Sequence, residues 1–255
     1  MYFLTPLKCA VFEINCEAFP KQVNFLIDEG MSISKGSNAV ISYLHFFDNY
    51  GLGEEITRLH CDNCSGQNKN KFVMWYLAWR CIHRLHKSME LYFLVAGHTN
   101  FSPDWCFGLF KQRYRRSHIT ALCDIQEAVR SSSYQNINIP QLVGSEDGQV
   151  LVNTYNWQEF LSPYFKPLPQ IKNYHHMRFN CDHPGVIFAK QYADSKEVSF
   201  SLLKDPTTLP PLELPLPLAP PGLSEQRIQY LYNNIRQFCA QDHRADLTCP
   251  ILWGF

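Results

Sequence analysis

The run Leu59-His60-Cys61-Asp62-Asn63-Cys64-Ser65-Gly66-Gln67-Asn68-Lys69-Asn70 decides how this chain is read. Ahead of it, residues 56–60 have the makeup of a short strand; behind it, Phe72, Val73, Tyr76, Leu77, Trp79 and Arg80 recur at helical spacing after the polar Asn68-Lys69-Asn70. An acidic residue therefore stands just past a strand, at a polar, glycine-containing turn that leads into a helix. A carboxylate so placed points out of the carboxyl edge of a sheet, where α/β folds gather their ligands.

Working outward, residues 89–96 (MELYFLVA) form the most strand-like run in the chain, bounded by Gly97. In the following Gly97-His98-Thr99-Asn100-Phe101-Ser102-Pro103-Asp104, Ser102 suits an N-cap, Pro103 the first helical position and Asp104 the helix dipole. On the helix so opened, Asp104, Phe107 or Gly108, Lys111 and Arg115 share a face by their three- and four-residue spacing. Upstream, residues 2–17 and 22–27 read as strands, with Pro6 at an edge or bend, and Ala39, Val40, Tyr43, Leu44 and Phe47 mark a helix. The order is strand, strand, helix, strand, helix, strand, helix.

Beyond Ser117 the signal weakens to a helix over 124–129, a Ser/Asn-rich loop, a short aromatic helix over 157–165 and strands at 177–179, 186–192 and 198–203. Seven prolines between 206 and 221 favour an extended polyproline II linker. After it, Ser224 caps a helix carrying Ile228, Leu231, Tyr232, Ile235 and Phe238 on one face. That stripe serves to dock the helix back on the body or to meet a partner. The division expected is a core over 1–118, a small α+β appendage over 119–205, the linker over 206–222, and a C-terminal amphipathic helix and tail over 223–255.

With 45% hydrophobic and 18% charged residues, the 255-residue chain falls outside the composition of disordered proteins. Lys plus Arg equals Asp plus Glu at 23 each, so any nucleic-acid surface must be a local patch rather than a global basic field. Ten cysteines without repeated spacing, and without a signal peptide ahead of Met1, fit reduced thiols in an intracellular protein. No apolar run reaches the roughly 20 residues that span a bilayer, so no membrane association is expected.

Two carboxylates from separate elements, Asp62 and Asp104, meeting at one sheet edge could hold a pair of Mg²⁺ ions that clamp the attacking and leaving oxygens of a phosphodiester. Lys111, Arg113, Arg115, Arg116 and His118 could then grip neighbouring DNA phosphates, without reading sequence. The plainer readings are a turn at Asp62-Asn63, a favourable helix start at Asp104 and a solvated charge run. Asn63, Gln67, Asn68 and Asn70 either position the turn or reach substrate. Cys61-x-x-Cys64 with His60 and His98 gives a weak zinc signal, because no second matching pair of ligands follows. His175-His176 reads as packing or surface, and no helix-turn-helix or zinc-finger element is evident to select a DNA target.

The segments DNCSGQNKN and GHT followed four residues later by Asp, with YFLTPLKC, QVNFLIDEG, YNW and YHHMRF, resemble a domain family derived from DDE/D-type transposases, over roughly residues 2–205. The resemblance implies a ribonuclease H-like α/β fold, a mixed sheet flanked by helices. In it Asp62 matches the second acidic residue and Asp104 the third. The first lies on a strand upstream of YFLTP, so this chain is expected to lack the first, central strand and to be catalytically incomplete. Such a gap leaves backbone groups of two neighbouring strands unpaired, at about 1–3 kcal/mol for each buried group. Asp28 or Glu29 is the substitute carboxylate considered. The implied activity is metal-dependent DNA strand transfer at a two-Mg²⁺ site, in an intracellular and, for a DNA-acting protein, nuclear setting. The alternatives are a non-catalytic remnant that binds DNA or a protein, and a zinc-stabilised structural domain.

Overall fold

The computed structural model describes residues 4–33, 35–49, 53–94 and 102–250. The chain divides into two compact units, each discontinuous in sequence: one comprises 1–33, 100–153 and 219–255, the other 34–99 and 154–218.

In the first unit, β1 (Cys9–Cys16) and β2 (Lys21–Asp28) form an antiparallel hairpin, and β5 (Asn138–Leu142) runs parallel along the other side of β2. β2 is thus the central strand, and its run Asn24 to Ile27 is buried on both faces. The Ser/Asn-rich region expected to be a loop contributes β5. Pro140 hides this strand from a propensity reading, yet it is tolerated because β5 lies at a sheet edge, where one side of the backbone needs no ladder partner. Helices α3 (Ser102–Arg116) and α4 (Leu122–Arg130) supply Phe110, Ala128 and Val129 to a core completed by Leu26.

A buried polar ladder crosses this sheet. Gln22 donates to Asn24, Asn24 to Asn138 at 3.4 Å, and Asn138 to the carbonyl of Cys106 at 2.9 Å. The C-terminal segment opens with α6 (Glu225–Tyr230), capped by Ser224 as its sequence implies, and runs on through a π turn over Leu231–Ile235 and a 3₁₀ turn over Arg236–Phe238. It docks back within this unit. Arg227 forks onto both oxygens of Glu29 at 2.9 Å and also donates to the carbonyls of Thr5 and Pro6. A last helix, α7 (Arg244–Thr248), follows.

The second unit is a five-stranded mixed sheet in the order β3-β4-β6-β7-β8. β3 (Ile56–Cys61) and β4 (Ser88–Phe93) are parallel, linked through α2 (Lys71–Ile82). β6 (His176–Asn180), β7 (Val186–Lys190) and β8 (Val198–Ser201) then add antiparallel, so the strands of the expected appendage join β3 and β4 in one sheet. Residues 73–81 of α2 are all buried, because the helix lies on the sheet and packs against α1 (Ser37–Asn49) and α5 (Trp157–Leu161). A helix apolar all round is what such a position requires.

Alternation sorts the sheet's faces. Met89, Leu91, Phe93, Met177, Phe179, Ile187 and Ala189 are buried, while Glu90, Tyr92, His176, Arg178, Phe188 and Lys190 point to the other side. The proline-rich segment forms no helix or long strand, and it is tied down within this unit. Trp79 donates to the carbonyl of Pro211 at 2.8 Å, and Leu218 donates to that of Thr154 at 2.7 Å.

The protein is therefore α/β, with two mixed sheets flanked by helices. Among the described residues the edge strands are β1 and β5 in the first unit and β3 and β8 in the second. No helix among the described residues is long and apolar enough to cross a membrane.

Candidate functional site

Asp62 follows β3 directly and is exposed. Its Oδ1 accepts the backbone N–H of Cys64 at 3.1 Å and the side-chain amide of Asn68 at 2.8 Å. The loop thus folds around this carboxylate, and three successive amides, of Gln67, Asn68 and Lys69, converge on the carbonyl of Cys64. Asn63 donates to the carbonyl of Leu94 and accepts from the buried Lys69 ammonium at 3.0 Å. Lys69 also donates to the carbonyl of Lys172 and lies 4.9 Å above the Phe93 ring; its burial lowers its pKa. Asn70 caps α2, accepting from the amides of Phe72 and Val73, and its own amide donates to the carbonyl of Gln67. Asn68 thus holds Asp62 directly, while Asn63 bonds to Leu94 and Lys69, and the hydrogen bonds of Gln67 and Asn70 lie within the turn and at the start of α2.

Asp104 lies in the first turn of α3, in the other unit. That helix begins at Ser102, whose hydroxyl donates to Glu17 at 3.0 Å instead of capping from a preceding position. Alternation along β1 sends Glu13 and Asn15 toward this helix, and Glu17 follows just past the strand. Asn15 meets the Cys106 thiol at 3.6 Å, and Glu13 faces Asp104. Burial, reinforced by the Asp104 charge, pushes the Glu13 carboxyl up to about 7. The acidic partner of Asp104 within its unit is Glu13, a residue the sequence reading passed over in favour of Asp28 and Glu29. Its only signal was a charged residue inside the apolar run AVFEIN. Asp28 caps the turn that follows β2, accepting from Gly30, and Glu29 is consumed by Arg227.

Lys111, Arg113, Arg115 and Arg116 all lie on the exposed end of α3, whose buried face is Cys106 and Phe110. Lys111 sits 5.4 Å from the Phe107 ring centre and Arg113 donates to the Ser131 hydroxyl; His118 is exposed just beyond. His98 lies outside the described residues. Of the zinc-like set, His60 stacks on Tyr92, Cys64 is exposed, and the Cys61 thiol is pushed up to about 12 by burial and by Asp62. All ten cysteines are free thiols.

Among the described residues, the group that brings three metal-ligating side chains together is Asp48, Glu54 and His86, with one candidate atom of each within 4.8 Å of the others. A cation is already built in there. The buried Arg80 donates from Nε to His86 Nδ1 at 3.0 Å, donates to the Tyr76 hydroxyl at 2.9 Å, and lies 3.6 Å from Asp48. Since a guanidinium only donates, His86 Nδ1 must be the acceptor and its neutral ring carries the proton on Nε2. That tautomer, beside a fixed positive charge, suits an ion-pair network and not a metal ligand set.

Compared with known proteins, a family model described as Domain of unknown function (DUF7869) matches residues 21–197, well over half of the chain. No curated protein and no solved structure matches.

Proposed function

The chain belongs to the DUF7869 domain family, and on that premise we propose that it is a ribonuclease H-like domain of transposase ancestry whose ancestral reaction was metal-dependent DNA strand transfer, and that the chain is catalytically silent. The observation that carries this reading is the position of two carboxylates. Asp62 stands immediately after β3, and Asp104 stands in the first turn of the helix that follows β4 in sequence.

Hard oxygen ligands suit Mg²⁺. Each unit offers only part of a set: Asp104 with a raised-pKa Glu13 in one, and Asp62, with one oxygen already accepting two hydrogen bonds, in the other. Neither unit by itself offers the full ligand set of a two-metal site among the described residues, and no step of strand transfer is derived from these groups. Their present condition favours a remnant that binds DNA or a protein over an enzyme.

The test is a nicking assay on supercoiled DNA with Mg²⁺ or Mn²⁺, run on the chain and on D62A, D104A and E13Q. No cleavage by any of them is the expected result. Metal-dependent nicking that disappears in both D62A and D104A would restore the enzyme and overturn the silent-remnant reading.

A further inference from the structure

We propose that the outward face of the five-stranded sheet in the second unit binds single-stranded nucleic acid, stacking bases on a row of rings that crosses the strands in register. The inference uses neither Asp62 nor Asp104 and does not rest on transposase ancestry.

Strand pairing sets the row. His60 on β3 stands opposite Tyr92 on β4, Tyr92 opposite His176 on β6, and His176 opposite Lys190 on β7. The His60 and Tyr92 rings stack with centres 5.0 Å apart, and His176 meets Tyr92 edge-on at 5.3 Å. Two residues along each strand lies a parallel row: Arg58, Glu90, Arg178 and Phe188, with the Arg178 guanidinium 4.3 Å from the Phe188 ring centre.

This is the side of the sheet that α2 does not cover, because the alternate residues of the same strands are the ones buried beneath that helix. The outward side of a half-buried sheet is ordinarily small and polar. Here it carries rings interleaved with cations, with Glu90 the carboxylate among them, and rings with cations are the combination that takes base faces and phosphates together.

The charges are suitably placed. Lys190 has no carboxylate partner among the described residues. The Arg58 side chain is 68% exposed, so its pairing with Glu90 is open to exchange for a phosphate; Arg178, 35% exposed, pairs with Glu197. A gently twisted sheet face offers nothing that enters a duplex groove, whereas every base has a ring face to offer once unpaired. Single strands are therefore the ligand that fits.

The experiment is fluorescence anisotropy with the full chain and three labelled probes: a dT 12-mer, a U 12-mer and a 12-base-pair duplex, each at low and at raised salt. Binding of a single-stranded probe is expected, tighter than of the duplex and weakened by salt. Tyr92→Ala and Lys190→Glu should each weaken it about five-fold or more, whereas Tyr92→Phe, which keeps the ring, should stay within about two-fold. Circular dichroism of each variant separates lost binding from lost folding. The proposal is overturned if neither 12-mer binds at low salt, if the duplex binds as well as the single strands, or if Tyr92→Ala folds and binds normally. It is equally overturned if binding is lost on Lys111→Glu with Arg115→Glu and not on Lys190→Glu. The dT and U arms show which sugar is preferred.

Discussion

Arg80 donates to His86 across 3.0 Å inside the helical layer of the second unit, and the same guanidinium neutralises Asp48, which has an oxygen buried without any hydrogen bond. One buried cation thus satisfies groups from α1, from α2 and from the loop before β4. Replacing it with an apolar residue of similar size would strand a carboxylate, a phenol and an imidazole together. Arg80→Met is expected to lower the stability of the chain by about 3–5 kcal/mol. Burial, only partly offset by Arg80, pushes the Asp48 carboxyl up to about 7, so Asp48→Asn should cost clearly less. Urea unfolding followed by tryptophan fluorescence checks both, since Trp75, Trp79 and Trp157 lie buried in the same layer. Equal losses in the two variants would refute this account of the network.

Glu13 gives a pH test of its burial beside Asp104. Its folded pKa of about 7 lies above the ordinary value of 4.5, so the folded state binds the proton more tightly than the unfolded state does. The stabilisation linked to that proton is complete below about pH 4.5 and disappears as pH rises through 7. Glu13→Gln removes the titration. Its stability relative to the parent should therefore rise between pH 5 and pH 8. A stability difference that stays flat over that interval would show that Glu13 titrates normally.

Asn70 accepts two amides at the start of α2. Asn70→Ala should cost about 1 kcal/mol, and Asn70→Asp, which keeps the cap, should cost little. Thermal denaturation distinguishes them, and identical melting points for Asn70→Ala and the parent would remove the cap from the account.

The proline-rich segment behaves as packed chain and not as a tether. Limited proteolysis should leave residues 206–218 intact in the parent. Trp79→Phe, which deprives the Pro211 carbonyl of its donor, should open that segment to cleavage and cost about 1–3 kcal/mol. Rapid cleavage there in the parent would contradict the hydrogen bonds from Trp79 and Leu218.

Much of the element order was legible because it rests on periodicity, a local property. Apolar runs marked β1 through β4, and helical spacing marked α1 and α2. What was illegible depends on partners distant in sequence. Strand β5 holds a proline and an asparagine, and it exists because β2 offers a parallel edge. Glu13 owes its raised pKa first to burial and then to Asp104, 91 residues later, and neither is visible in the run AVFEIN. Arg80 read as the end of an apolar helix stripe, because nothing local announces that Asp48 and His86 close around it. The Asn-rich turn was legible as a turn, and Asn68 and Asn70 are fixed by it.

The pairing of β4 with β6 joins residues 88–92 to 176–180, across a segment that folds elsewhere. A fragment cut near residue 118, where composition invites a boundary, would keep β3 and β4 yet expose the ladder that β6 now occupies. Such a piece would present a fresh, adhesive edge and precipitate or swap strands with its neighbours. Expression, deletion mapping and any tagging of this protein are therefore best planned around whole interleaved units, with cuts avoided anywhere between β3 and β8.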